Sequence, residues 1–139
     1  GEGIWLEIPC ADPTRAFAFY HAVFGWEVPS DMPPTMDTHA SGVDSVHPFI
    51  KGNLRGHFGK MSGGINDIVQ MGETPGFAKQ GPVLEIVTED IDATTAKVVE
   101  NGGRVHVPKY GLYGGKLGYI ARYIDTEGNM VGAWSAPVV

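Results

Sequence analysis

The sequence predicts an α+β fold built from two tandem βαβββ modules. Residues 6–28 align with residues 84–106 at a constant offset of 78 positions, and six of the 23 aligned pairs are identical. Roughly one or two identities are expected by chance. Each copy reads as strand, aspartate, helix, glycine and strand, and the 20 glycines and 10 prolines indicate many turns. We expect one domain over residues 1–139, with modules at about 1–71 and 82–139 and a linker at about 72–81.

The first module has clear start and stop signals. Residues 4–8 alternate in the period-2 manner of a strand. Asp12 is a good N-cap, and Pro13 fits the first helical position because its missing N–H costs nothing there. An apolar stripe follows at helical spacing, and Gly25 fits the left-handed position at the helix end. Three further strands are predicted, at residues 26–28, 46–51 and 57–61.

The second module repeats these signals. Residues 83–87 form the predicted strand, Asp90 caps the helix, and residues 101–103 (Asn-Gly-Gly) end it. The last predicted strands follow at residues 104–107, 117–124 and 130–136. Two such modules side by side predict a curved mixed sheet of roughly eight strands, with a concave cleft and with the helices on the convex side.

Composition excludes several classes of protein. The net charge is −6 and the ten basic residues are scattered, which argues against a nucleic-acid partner. No apolar run approaches the roughly 18 residues that a membrane span requires. One cysteine, Cys10, excludes an internal disulfide framework and a cysteine-cluster zinc site. We therefore expect a cytoplasmic protein.

Four segments together resemble a known superfamily. They are the Trp-Leu-Glu-Ile strand at 5–8, the helix start at 12–20, the Val-Phe-Gly-Trp segment at 23–26 and the Asp-Thr-Glu-Gly-Asn turn at 125–129. The pattern resembles the vicinal oxygen chelate superfamily of glyoxalase I, bleomycin-resistance proteins and extradiol dioxygenases, and most of all its glyoxalase-like subgroup. The resemblance implies a small organic molecule as partner. It also implies a homodimer, for which Phe49 and Phe77 are candidate apolar surface residues.

The resemblance also implies positions for a divalent metal. Its ligands, usually His and Glu, come from the first and last strand of each module. Three of these positions fall on Trp5, Val83 and Gly132, and the fourth lies near residues 57–65. None of the three residues offers a carboxylate or an imidazole, whereas a divalent cation needs several such donors at once. We therefore expect no metal cofactor.

Strand alternation predicts what lines the cleft instead. Leu6 and Ile8 are apolar and should meet the helix, so Trp5 and Glu7 should face the cleft. By the repeat, Glu85 faces it too, and we predict Glu7 and Glu85 as the catalytic residues. The alternative is that each glutamate pairs with a cation such as Arg122 or Arg104, or lies in water at the mouth of the cleft. The remaining predicted ligand-binding residues are Trp5, Val83, Met130, Gly132, Trp134, Tyr110, Tyr113, His47 and His57.

Each of these residues also has a structural interpretation. A tryptophan at a former ligand position can simply fill the space, and a histidine on a strand is more often a hydrogen-bonded surface residue. Two loops, at residues 29–45 and 109–116, have the composition of segments that border binding clefts.

Three functions remain open. The first is a metal-independent enzyme, of isomerase, lyase or cyclase type, that acts on a flat oxygenated compound between two carboxylates. The second is a non-catalytic binding or sequestering protein of the bleomycin-resistance kind. The third is a metal-dependent glyoxalase or dioxygenase that uses an unconventional site.

Overall fold

The computed structural model describes residues 3–38, 40–78 and 81–138. The chain divides into two compact units, an N-terminal unit, Gly1–Val69, and a C-terminal unit, Gln70–Val139. Within the described residues, each unit places one α-helix against one face of a small mixed sheet, so the predicted α+β class is confirmed. No helix in this part of the chain is long and apolar enough to cross a bilayer.

The N-terminal unit contains a three-stranded sheet. Its elements are β1 (Trp5–Cys10), α1 (Pro13–Phe24), β2 (Val43–Lys51), β3 (Leu54–Met61) and a short 3-10 helix (Gly64–Asp67). The strand order is β1-β3-β2, with β1 parallel and β2 antiparallel to β3. The central strand β3 therefore brings the last part of the unit's sequence beside its first strand.

Helix α1 begins and ends where the sequence predicts. The Asp12 side chain accepts a hydrogen bond from the Arg15 backbone N–H at 3.1 Å, and Pro13 is the first helical residue. Gly25 adopts a left-handed φ of 74° and donates its N–H to the His21 carbonyl. A residue with a side chain would be strained at this φ, so Gly25 sets the direction in which the chain leaves the helix.

An aromatic core fills the space between α1 and the sheet. The Trp26 ring stacks on Tyr20 and on Phe49, with 4.4 Å between ring centroids in each case, and Phe58 lies 4.9 Å from Phe49. The strand predicted at residues 26–28 is wrong in extent, because the chain forms only one isolated bridge there, between Glu27 and Ile50. Phe49 is also fully buried, so it is no surface residue for a dimer contact.

The C-terminal unit has the complete βαβββ order that the repeat predicts. Its elements are β4 (Leu84–Val87), α2 (Ile91–Glu100), β5 (Arg104–Gly111), β6 (Tyr119–Ile124) and β7 (Met130–Ser135). The strand order is β4-β7-β6-β5, with β4 and β7 parallel and the other pairs antiparallel. Strand β5 runs through two irregularities to Gly111, so Tyr110 lies on a strand and not in the loop predicted there.

The segment predicted as a linker packs into the C-terminal unit. Within it, His106 Nε2 lies 3.0 Å from the Gly76 carbonyl oxygen. Just before it, the Met71 N–H donates to the Gly128 carbonyl at 3.1 Å. These contacts fix the segment against the β6–β7 turn and strand β5. Lys79 and Gln80, which the predicted linker also covers, lie outside the described residues.

The turn between β6 and β7 is closed by a buried aspartate. Asp125 Oδ1 accepts hydrogen bonds from the backbone N–H groups of Glu127 and Asn129, at 2.8 and 2.9 Å. The Glu127 carboxylate is also buried, and it accepts a hydrogen bond from Thr126 Oγ1 at 2.6 Å. The Asp125 side chain thus satisfies two backbone N–H groups of the turn.

Candidate functional site

The face of the N-terminal sheet that α1 leaves uncovered, here called the N-terminal open face, carries a cavity of about 480 Å³. The strand register places Glu7 opposite His57 and Pro9 opposite Gly59 on this face. The volume falls within the roughly 300–1,000 Å³ of small-molecule pockets. The apolar lining residues are Ile8, Pro9, Ala40, Val43, Val46 and Met61, and Thr38, Gly59, Glu7 and His57 complete the lining.

Three side chains on β1 and β3 form the polar end of this face. The Trp5 indole N–H donates a hydrogen bond to His57 Nδ1 at 2.8 Å. His57 Nε2 lies 3.7 Å from Glu7 Oε1. The His57 side chain is 16% exposed and that of Glu7 is 75% exposed, so the imidazole is held in place while the carboxylate stays in contact with solvent. We call these three residues the Trp5–His57–Glu7 cluster.

The hydrogen bond from Trp5 fixes the role of each imidazole nitrogen. An indole N–H can only donate, so Nδ1 of His57 must be the acceptor. A neutral imidazole carries one N–H and one lone pair, which leaves the proton on Nε2. His57 therefore presents a hydrogen-bond donor beside the acceptor oxygens of Glu7.

The loop at residues 29–45 borders the cavity, as the sequence predicts. Arg55 Nη2 donates to both carboxylate oxygens of Asp31, at 2.8 and 3.0 Å, and this hydrogen bond holds the pKa of Asp31 below its usual value. Met36 and Val46 exchange two backbone hydrogen bonds of 2.9 Å. The loop is thus tied to β2 and β3, and its residue Thr38 lines the cavity.

His47, a predicted ligand-binding residue, lies on the opposite face of the sheet from His57. It stands opposite Phe58 in the register, on the side of α1. Its Nε2 lies 2.8 Å from Ser45 Oγ, and its Nδ1 lies 3.2 Å from Thr35 Oγ1. Burial, together with the charge of Lys60, lowers the pKa of His47 below 6.5. The structure therefore does not bring His47 and His57 to one site.

Stability should depend on pH through His47. Because its folded pKa lies below the unfolded value of 6.5, the unfolded chain binds the proton first as the pH falls. The free energy of unfolding is then highest above pH 6.5 and decreases as the pH falls through the lowered folded pKa. Urea unfolding at a series of pH values should show a smaller decrease for His47→Gln than for the wild type. Parallel curves for the two proteins would contradict this assignment.

The uncovered face of the C-terminal sheet carries an ion pair between Glu85 and Arg122, which spans three neighbouring strands. Glu85, Gly132 and Arg122 stand opposite one another on β4, β7 and β6. Arg122 Nη2 donates to Glu85 Oε1 at 2.9 Å, and the guanidinium lies 5.4 Å from the centre of the Phe77 ring. The alternative that the sequence left open for Glu85, pairing with Arg122, is thus the arrangement observed.

The other predicted ligand-binding residues belong to the C-terminal unit. Val83 precedes β4, and Met130 is the first residue of β7. Trp134 donates its indole N–H to the Leu117 carbonyl at 2.9 Å. Tyr110 contacts the edge of Phe77, and Tyr113 is largely exposed, with Lys116 above its ring.

The residues at the metal positions do not fit a divalent cation. Glu7 opposite His57 in the first module matches Glu85 opposite Gly132 in the second, so the fourth position falls on His57. The lone pair of His57 already accepts the Trp5 N–H. A Cβ at Gly132 would lie 3.1 Å from both Arg122 Cδ and Glu85 Cγ, too close for a longer side chain without displacing that pair. Among the described residues, no three His, Cys, Asp or Glu side chains come together as a metal site.

Comparison with known proteins places the chain in a family. The sequence profile of the Glyoxalase/Bleomycin resistance protein/Dioxygenase superfamily matches residues 4–132, and the chain belongs to this superfamily. It is 27% identical over 136 residues to the candidate glyoxylase CFP32 of Mycobacterium bovis. That alignment covers 95% of this chain and 44% of the relative, so the chain spans less than half the length of the curated relative it matches.

Two solved structures show the same fold. A glyoxalase family protein from Enterococcus faecalis superposes with a TM-score of 0.67 and 15% identity, covering 96% of this chain and 97% of the other. TnmS3, an antibiotic binding protein from a Streptomyces species, superposes with a TM-score of 0.61 and 20% identity, covering 98% and 96%. At these identities the likeness concerns the fold alone.

Sequence reasoning missed most of the cavity wall. Val43, Val46 and Met61 line the cavity but were not among the predicted site residues. The signal available was the alternation of β2 and β3 relative to His57, but using it requires the strand register. The composition of the loop at residues 29–45 correctly pointed to this side of the sheet.

Proposed function

We propose that this protein is a metal-independent enzyme of isomerase, lyase or cyclase type that moves a proton on a flat, oxygen-bearing small molecule bound at the N-terminal open face. The observation that carries the proposal is the Glu7–His57 pair at the edge of a largely apolar cavity. Apolar walls suit a flat organic molecule, and the two polar groups would fix its orientation.

The two polar groups supply complementary steps. Glu7 is the base: its carboxylate takes a proton from a carbon next to a carbonyl group, and the C–H electron pair becomes the double bond of an enolate. Negative charge then develops on the carbonyl oxygen, where the Nε2–H of His57 stabilises it by a hydrogen bond. Protonated Glu7 returns the proton at a neighbouring atom in an isomerisation, or to a departing group in an elimination.

Glu7, and not Glu85, is the proposed base. Arg122 holds Glu85 in an ion pair, and the exposed fractions of the two side chains are 12% for Arg122 and 36% for Glu85. The Glu85 carboxylate already accepts a hydrogen bond from Arg122 at 2.9 Å, whereas the Glu7 side chain is 75% exposed beside the cavity and beside His57. We propose that Glu85 orients Arg122 on its own sheet, although the sequence alone suggested a second catalytic carboxylate.

A binding protein without catalysis is the second candidate. The apolar character of the cavity wall favours it, since apolar burial alone can hold a ligand. The name of one structural neighbour, TnmS3, describes an antibiotic binding protein. In this alternative, Glu7 and His57 would only orient the ligand.

One experiment separates the two candidates. The chelator-treated protein is incubated in D₂O with a panel of hydroxylated aromatic ketones, binding is followed by tryptophan fluorescence, and the recovered compounds are analysed by chromatography and mass spectrometry. The enzyme predicts deuterium incorporation or a rearranged product in molar excess over protein. Stoichiometric binding with the compound recovered unchanged would overturn the catalytic proposal and support the binding protein.

A further inference from the structure

We infer that Trp5 is a positioning residue: it fixes the tautomer of His57 and so restricts the cavity to ligands that present an oxygen acceptor to this histidine. The inference rests on the proposed function for the use of the site, but the tautomer itself follows from the hydrogen bond alone. Trp5 is 44% exposed on the N-terminal open face, so burial in the core does not account for its position.

The geometry leaves one arrangement of protons. The Trp5 N–H to His57 Nδ1 distance is 2.8 Å, the length of a good hydrogen bond. The opposite tautomer would point an N–H of His57 at the N–H of Trp5, two donors with no acceptor between them. The rings lie 5.8 Å apart with an angle of 49° between their planes, so it is the indole edge that contacts the imidazole.

This tautomer determines what the ligand must offer. Nε2–H of His57 can only donate, and the charged Glu7 carboxylate can only accept. The 3.7 Å between Nε2 and Oε1 is longer than a direct hydrogen bond, so neither group satisfies the other. The fitting ligand therefore has an acceptor oxygen beside a hydrogen that can be donated or removed, as in a ketone with an acidic neighbouring C–H or O–H.

The same bond accounts for the poor fit to a metal. Trp5 stands at a ligand position of the family, where it cannot coordinate, and it also occupies the single lone pair of His57. One tryptophan thus alters two of the four metal positions. The histidine becomes a hydrogen-bond donor to the ligand.

The tautomer is tested by NMR of the intact, ¹⁵N-labelled chain. The His57 ring nitrogens of the wild type should show one proton, on Nε2, and Trp5→Phe, which keeps a ring but removes the N–H, should give a mixture of tautomers. Trp134→Phe is the matched control, because it removes an indole N–H that bonds the Leu117 carbonyl. Glu7→Gln should leave the tautomer unchanged. A wild-type spectrum in Trp5→Phe, or a change only in Glu7→Gln, would overturn the inference.

The ligand preference is tested with two probes of similar size. Acetophenone offers only an acceptor oxygen, whereas neutral aniline acts mainly as a donor. Acetophenone accepts from His57, whereas aniline can donate to Glu7, so only the acetophenone contact depends on the His57 tautomer. The ratio of acetophenone affinity to aniline affinity should therefore fall by up to about tenfold in Trp5→Phe, the size of one hydrogen bond. An unchanged ratio, or no binding of either probe, would overturn the ligand assignment. The D₂O experiment tests the proposed function separately. If it shows no catalysis while the NMR and probe results agree with the prediction, the proposed function is refuted and the role of Trp5 stands.

Discussion

Replacing Glu7 by glutamine is expected to lower turnover by about 100- to 10,000-fold, the usual contribution of a positioned acid–base group. Glutamine has nearly the same shape as glutamate but cannot take a proton at neutral pH. It keeps a carbonyl oxygen at the position that lies 3.7 Å from His57 Nε2. Ligand affinity should therefore change much less than kcat, and deuterium incorporation from D₂O measures the difference.

Glu27→Gln is the matched control. Glu27 belongs to the same unit and is 64% exposed beside His21, away from the cavity lining. It should retain the turnover of the wild type. Equal turnover in Glu7→Gln and the wild type would remove the base from the mechanism, even if both proteins bound the ligand.

Replacing Trp26 by alanine is expected to lower the free energy of unfolding by about 3–5 kcal/mol, as for other large aromatic deletions in cores. The side chain is 1% exposed and stacks on two rings at 4.4 Å. The substitution leaves a cavity between α1 and the sheet that the neighbouring rings cannot fill. A loss of this size is a large part of the total stability of a small domain, and urea denaturation measures it.

Trp5→Ala serves as the comparison. Trp5 is 44% exposed, so its removal should lower the free energy of unfolding by only about 1 kcal/mol. The same substitution should leave His57 as a mixture of its two tautomers. Similar unfolding midpoints for Trp26→Ala and Trp5→Ala would contradict the assignment of Trp26 to the structural core and of Trp5 to the positioning of His57.

Local signals in the sequence were enough for most of the fold. Asp12 and Asp90 cap their helices through the backbone N–H groups three residues later, and Gly25 ends α1, because these contacts lie within one turn of chain. The position of the Trp26 side chain could not be predicted from local signals. Its ring stacks on Tyr20 and on Phe49 in the core, and the contact with Phe49 depends on tertiary packing.

In the candidate site, too, local sequence patterns were predictive, whereas contacts between distant segments were not. The period-2 alternation of β1 correctly placed Trp5 and Glu7 on the face opposite Ile8. The partner of Trp5 was not predictable, because His57 is 52 residues away and only the register of β1 with β3 brings them together. The pairing of Glu85 with Arg122 was one of two alternatives, and the β4-β7-β6 strand order was needed to choose.

In the proposed mechanism, Glu7 and His57 act in the cavity without the metal of the family. The most direct measurement is the rate of product formation by chelator-treated protein, with the metal content of the same sample measured by elemental analysis. We expect turnover to persist without stoichiometric metal, and added Ni²⁺, Zn²⁺, Mn²⁺ or Fe²⁺ to leave the rate unchanged. Turnover that disappears on chelation and returns with one tightly held metal per chain would show that the reaction depends on a metal and would refute the metal-independent mechanism.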